Sequence, residues 1–580
     1  IVADSSGDTI IDHCNAGSVV RELKVFAYGK QSEYKYANVS ALHTYAGGIV
    51  GVATTSFYQY GEHNYKAGTA SVIRNCEVVN ATVKSVKNNI GGIVGYVDGQ
   101  SKANGMNNKV ELSGNVVSGA NLCALPASGT GIGDIGTKVG GILGYSDQYI
   151  SVIISGCTVG TDSATKSVTI KGENSIGGIV GALPNAINEI KNCSIERGNE
   201  WGIVENVNNS ISGDSGNHGT AIGGIIGYTY HNTAENAVTT TLSGNISFAG
   251  TIKIDYATKD DAVRNVGGVF GDMASGASFA TGAVIVVSGA IEIANSIKTN
   301  AQNAENSGVR NIGGVAGRTR DVAFSGNFTV SVTINIPNAY YVGGFIGRNR
   351  GEVNILADDT TINIGAKLNG AHDVGGFIGD NDASTGAILY IGANEYRRTR
   401  YEKPLSIVIS QEATISASGD NVGGIVGGNT SNGGSTVGAI RIVKGSITNN
   451  GTVSGANAVG GIIGNNNAGL VTGSDAVKKL TIVNGGAVNG NNYIGGVIGK
   501  LNRGTIAGTF VNNGDVTGQL FVGGSIGYVA FDAVITVAGG VATEFKNGAK
   551  EDAYTASGDA LTAGGDTVAQ GVGTVKGKAY

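Results

Sequence analysis

Over residues 440–527 apolar and polar positions alternate in short bursts. The stretches GSITNNGTVSGANAVGGIIG, LTIVNGGAVNGNNYIGGVIG and GTIAGTFVNNGDVTGQLFVGGSIG are chains of Val/Ile/Thr runs with a period of two, broken by Asn-Gly, Gly-Asn or Ser-Gly. Such alternation describes short strands with one face buried, and the Asn/Gly pairs mark the turns between them. Each stretch closes on a glycine hexapeptide typified by VGGFIG at 342–347. The first Gly of each copy is Gly47, Gly91, Gly140, Gly177, Gly223, Gly267, Gly313, Gly343, Gly375, Gly423, Gly460, Gly495 and Gly523, thirteen copies at intervals of 28 to 49 residues. Periods in this range indicate a solenoid, a propeller or an array, and the copies outnumber the roughly 4–8 blades of a propeller. The pattern therefore predicts an all-β chain folded as an elongated parallel β-helix, or β-solenoid, with about three short strands per coil. Residues 1–46 read as a cap or first coil, 47–527 as the solenoid, and 528–580, with the strand-like AVITVAGGVATEF, as a cap or assembly segment. The intervals of 44 to 49 residues fit either one coil with a long loop or two coils sharing a hexapeptide.

In such a stack each coil lies about 4.8 Å from the next, so a residue packs on its counterpart. Strict alternation through VGGFIG puts Val342, Gly344 and Ile346 on one face and Gly343, Phe345 and Gly347 on the other. Glycine then serves a tight bend or a close backbone approach, and a β-branched residue at Gly343 or Gly344 is expected to cost on the order of 1–3 kcal/mol. Phosphate binding is a poor account of the same glycines. The spacing is G-G-x-x-G, no Lys stands where a Walker loop needs one, and no helical pattern follows.

The repeat resembles the GLUG-motif repeats of bacterial surface proteins, as in IGGIVG at 176–181, VGGFIG at 374–379 and VGGIVG at 422–427. The likeness spans roughly residues 47–527. It implies a secreted or surface-exposed bacterial β-solenoid of adhesin-like setting. Some proteins with this repeat carry a zinc peptidase domain using H-E-x-x-H; that motif is absent here, so no peptidase activity follows.

Composition narrows the function classes. Gly is 98 of 580 residues with only 4 Pro and no Gly-X-Y period, which excludes collagen. Hydrophobic residues at 41% against 14% charged residues leave apolar surface enough for a core. A formal charge of −5 gives no reason to expect nucleic acid as a partner. Gly, Asn and Ser interrupt every apolar run, so no membrane-spanning helix is expected. The start IVADSSGD, without Met or a signal-like segment, reads as processed or trimmed.

Candidate chemistry is sparse. Cys14, Cys76, Cys157 and Cys193 share one phase of the repeat, which later units fill with Asn245 or Ala290. With no C-x-x-C and tens of residues between copies, they read as small inward side chains rather than a metal or disulfide set. His13, His43, His63, His218, His231 and His372 lack ligand spacing. Asp260 with Asp261, Asp358 with Asp359 and Asp380 with Asp382 are candidates for Ca²⁺ or for glycoside chemistry, and equally for solvated turns; no cofactor is expected. The stretch NEYRRTRYEKP sets Arg397, Arg398 and Arg400 between Tyr396 and Tyr401, a grouping suited to sugars or an anionic group, or to covering a coil edge. The Tyr-rich stretches at 27–38 and 56–65 read as end cap or contact surface. The expectation is a non-enzymatic structural protein of the cell surface, a rod-like stalk or a filament or array subunit that self-associates end to end. The alternatives are an adhesin binding glycan or a host surface through its loops, and a β-helical polysaccharide lyase or hydrolase.

Overall fold

A computed structural model describes the chain from residue 2 to residue 576. Outside the description fall 7–9, 17–22, 28–44, 55–69, 99–108, 126–136, 161–167, 197–202, 207–220, 231–239, 255–262, 294–308, 397–398, 431–438, 474–480, 548–572 and isolated residues or pairs. The described residues are almost entirely β-strand, with one 3-10 turn at Ala383–Thr385. The chain forms two compact units, residues 1–278 with 289–307 and residues 279–288 with 308–580.

Each unit is a parallel β-helix. In the first, one coil runs through the strands Lys109–Ser113, Val116–Ser118, Asn121–Leu125, Thr137–Gly140 and Leu143–Ser146. Every strand pairs in parallel with its counterparts one coil before and one coil after. Leu112 lies beside Ile73 and Ile154, Val117 beside Val78 and Val159, Leu122 beside Val83 and Ile170, and Gly140 beside Gly91 and Gly177. Each coil thus supplies five parallel sheets, where the sequence pattern suggested about three strands. The extra boundaries are physical: the hexapeptide spans two strands with its Gly-Gly at the bend, and the Asn/Gly punctuation adds another break.

Hexapeptide glycines align directly. Gly47, Gly91, Gly140, Gly177, Gly223 and Gly267 form one register in the first unit. Gly313, Gly343, Gly375, Gly423, Gly460, Gly495 and Gly523 form another in the second. The long intervals are therefore single coils, since Gly47 pairs with Gly91, Gly91 with Gly140, Gly177 with Gly223, Gly223 with Gly267 and Gly375 with Gly423 with no coil between them.

The three glycines answer to three neighbours. A Cβ on Gly343 would sit 1.8 Å from Ile346 O of its own bend, one on Gly344 would sit 2.1 Å from Gly376 O of the next coil, and one on Gly347 would sit 2.5 Å from Gly317 O of the preceding coil. The bend also resets the side-chain phase. Phe345 and Ile346 are both fully buried, so alternation does not run unbroken through the hexapeptide as the sequence reading had it. Two residues before the first Gly the backbone is left-handed in eleven coils, at Asn89, Lys138, Ser175, Asn265, Asn311, Tyr341, Asp373, Asn421, Ala458, Tyr493 and Phe521. Asn and Asp tolerate this region; Tyr, Phe and Ala are held there by the coil.

Valine, isoleucine and leucine columns fill the interior of both units. In the second unit Phe279, Phe324, Phe328, Phe345 and Phe377 form an aromatic cluster, with Phe345 stacked on Phe377 at a centroid distance of 5.0 Å. At the amino-terminal end Val2–Ser6 pairs with Val50–Thr54 and Leu23–Ala27 with Ala81–Val86, extending the same sheets into residues 1–46. Beyond 527, Ala533–Ile535 and Glu544–Asn547 continue two sheets in parallel, whereas Gly573–Lys576 joins Asp515–Gly518 antiparallel.

Candidate functional site

The NEYRRTRYEKP stretch leaves the coil between Ile388–Ala393 and Leu405–Ile409 as a small antiparallel hairpin, Glu395–Tyr396 against Thr399–Arg400. An antiparallel pair branching from a parallel sheet marks a segment outside the coil's register. Arg400 is exposed, but Tyr396 and Tyr401 turn back and pack with Tyr390 on the buried Ala323, Leu356 and Ala393. Burial pushes the Tyr401 hydroxyl up from its ordinary range. The two flanking tyrosines thus spend their rings on the coil's side rather than offering two open faces. Arg397 and Arg398 lie outside the described residues. Two cations extend the patch. Arg441 lies over the Tyr390 ring at 5.5 Å and donates to its hydroxyl at 3.3 Å, and the Lys444 ammonium donates to Glu402 O.

Beneath the hairpin sits Asp358. It accepts from the hydroxyls of Thr281 at 2.6 Å and Ser325 at 3.0 Å, while Lys403 Nζ reaches Asp358 at 3.7 Å and Asp359 at 3.2 Å. This carboxylate pair is thus already engaged by hydroxyls and a lysine. The second acidic pair is engaged more deeply. Arg348 stands in register with Asp380, bonding it through Nε at 3.0 Å and reaching Asp382 at 3.1 Å. Thr430 donates to Asp380 at 2.6 Å, Ser384 donates to Asp382, and Arg350 Nε lies 3.2 Å from Asp382 without hydrogen-bond geometry. Burial pushes the Asp380 carboxyl up to about 6 against the opposing pull of Arg348. Arg348 also lies over the Tyr341 ring at 4.1 Å. Free carboxylates on adjacent coils, as calcium binding or glycoside chemistry requires, are not what these two pairs present. Asp260 and Asp261 lie outside the described residues.

Behind this ion cluster runs a feature the sequence reading missed. Asn349, Asn381, Asn429 and Asn466 are fully buried and joined amide to amide across successive coils at 2.9, 2.9 and 2.7 Å. A second ladder joins Asn449, Asn484 and Asn512 at 2.8 Å per step. Every amide oxygen after the first accepts from the preceding Asn nitrogen, and the first of each ladder, Asn349 and Asn449, accept from Gly351 N and Gly451 N at 3.1 Å, so a polar column is satisfied inside an apolar coil. The signal was present. In four successive coils Asn stands two residues after the last Gly of the hexapeptide, in IGRN, IGDN, VGGN and IGNN.

The histidines and cysteines find local roles. His372 stacks on Tyr340 at 5.0 Å and accepts from the Asp420 amide through Nδ1 at 3.1 Å, and His13 contacts Asp12 at 2.7 Å. His43, His63, His218 and His231 lie outside the described residues. Among the described residues no group of three or more His, Cys, Asp or Glu has metal-binding geometry. Cys76, Cys157 and Cys193 are inward and buried, as small side chains at a bend, and all five cysteines are free thiols. Two sequence equivalences fail on register. Ser247 pairs with Ser194, so Ile246 rather than Asn245 follows Cys193 in the column, and Ala290 belongs to the strand beside Thr251–Ile254. The polar residue that does enter the column is Asn115, whose side chain accepts from Cys76 N and donates to Ile73 O, both at 2.9 Å.

The Tyr-rich stretches at 28–38 and 56–65 are outside the described residues, but Tyr45, Tyr96 and Tyr145 form a stack at 4.5 and 5.7 Å along the first unit. No helix among the described residues is long and apolar enough to cross a membrane. Comparison with protein families, with characterised proteins and with solved structures finds no match to the chain.

Proposed function

We propose that the chain is a non-enzymatic structural protein of the bacterial cell surface or extracellular space, a stalk or a filament or array subunit. One observation carries the reading: among the described residues thirteen successive coils repeat the same five-strand register, so a coil from another copy can continue the ladder where a parallel sheet ends. The engagement of Asp358, Asp359, Asp380 and Asp382 by cations and hydroxyls supports the same reading and weighs against a lyase or hydrolase. Negative-stain microscopy of the purified chain over a range of concentrations tests it. Polymers or a regular array are expected, and a strictly monomeric particle at every concentration contradicts it.

A second reading, adhesion to a glycan or host surface, is favoured by the hairpin that leaves the coil with Arg400 exposed. Binding on a glycan array that disappears when Tyr396, Arg397, Arg398 and Arg400 become Ala supports it. Binding unchanged by those substitutions moves the contact elsewhere.

A further inference from the structure

The cysteines that look isolated in sequence are neighbours in space, because their separation in sequence is the length of one coil. Asn15 pairs with Glu77, and Glu77 N donates to Cys14 O at 2.9 Å, which sets Cys14 directly against Cys76. Thr158 pairs with Ser194, and Ser194 N donates to Cys157 O at 3.1 Å, which sets Cys157 against Cys193. Asn115 stands between the two pairs, linked by Val116 N to Cys76 O at 2.9 Å and by Thr158 N to Asn115 O at 3.0 Å. The column therefore reads Cys, Cys, Asn, Cys, Cys.

In-register residues of adjacent parallel strands lie about 4.8 Å apart, inside the range of about 4.4–6.8 Å between Cα atoms that a disulfide spans, and their side chains leave the sheet in the same direction. The thiols donate to backbone carbonyls of their own coils, Cys76 to Arg74 O at 3.2 Å and Cys193 to Lys191 O at 3.3 Å, and hold no side-chain acceptor outside the pair that oxidation would have to displace. Closing the bond draws the two Cβ atoms from about 4.8 Å to the roughly 3.5–4.5 Å that a disulfide spans, a shift of under about 1.5 Å. Cys123 differs. It faces Lys84 and Lys171 in register and has no cysteine on either side.

We propose that Cys14–Cys76 and Cys157–Cys193 are sites of oxidative modification, each closing to a disulfide that staples one coil to the next. The oxidant is a small disulfide such as oxidised glutathione. One protein thiolate attacks a sulfur of that disulfide and releases a first external thiol. The neighbouring cysteine, its proton passed to water, attacks the mixed disulfide, forms the cross-coil S–S bond and releases a second thiol. Two protein thiols are oxidised as one external disulfide is reduced. Access orders the two events. Cys14 is partly exposed and is attacked first, whereas Cys157 and Cys193 are fully buried and react only when the coil opens. The inference is independent of the proposed function.

Incubating the full chain with oxidised glutathione, unfolding it in denaturant with iodoacetamide to block every remaining thiol and mapping unreduced peptides by mass spectrometry tests it without any substitution. The expected result is two linked peptides, 14 with 76 and 157 with 193, each lighter by two hydrogens, the first appearing earlier, with Cys123 alkylated throughout. In Cys14→Ser the first link is lost and Cys76 becomes alkylated, while the second link still forms. Five alkylated cysteines after prolonged oxidation, any other pairing, or bridges only between chains would overturn the proposal.

Discussion

Gly344 and Gly282 are the same residue type under different demands. A Cβ at Gly344 would collide with Gly376 O of the next coil at 2.1 Å, whereas at Gly282, with φ of +74°, nothing lies within 4 Å. Gly344→Ala is therefore expected to cost about 3 kcal/mol or more, because backbone cannot move aside within a stack. Gly282→Ala meets only left-handed strain and is expected to cost about 1–2 kcal/mol. Denaturant unfolding of both variants measures the difference, and equal losses would contradict the stacking account of the hexapeptide. The demand at Gly344 is legible in sequence because it recurs at the same place in every copy. The left-handed position two residues before the first Gly is half legible: Asn89, Asn265, Asn311 and Asn421 advertise it, but Tyr341, Tyr493 and Phe521 do not. There the coil overrides the preference of the residue, which no local reading of a bulky aromatic reveals.

Strands are the next scale, and here the Asn ladders decide what an element contributes. Asn381→Leu would leave the Asn349 amide nitrogen without its 2.9 Å acceptor and the Asn429 amide oxygen without its 2.9 Å donor inside the coil. Losing both ladder bonds inside the coil is expected to cost about 2–4 kcal/mol. Asn369 also donates to an Asn of the adjacent coil, Asn335 at 2.9 Å, but on an exposed face, so Asn369→Leu is expected to change stability by about 0.5 kcal/mol or less. Thermal or chemical unfolding of the pair separates buried ladder from surface contact, and similar small effects would show that the buried amides contribute little. Strand identity was legible from period-two alternation; strand number was not. Segments as short as Val116–Ser118 and Thr158–Val159 fall below the length over which a period can be read. The hairpin at Glu395–Arg400 was legible as a break in composition, while the inward turn of Tyr396 and Tyr401 depends on a small apolar patch assembled from three different strands.

For the molecule as a whole, the period of the repeat foretold the solenoid, and the register then explained what sequence distance concealed. Cys157 and Cys193 read as remote until the coil length between them is recognised as one step of the stack. Everything proposed for assembly and for the thiol pairs depends on that step being uniform. Residues Thr329, Asn363, Val408, Thr448, Val483 and Val511 occupy one column of the second unit, successive members paired in parallel register. The most direct test places spin labels, in a background with the native cysteines replaced by Ala, at Thr329 with Thr448 and at Thr329 with Val511. Dipolar spectroscopy is expected to give separations of about 14 Å for three steps and about 24 Å for five, in proportion to the number of coils crossed. Separations far from those values, or broad distributions in place of two defined distances, would contradict the stack.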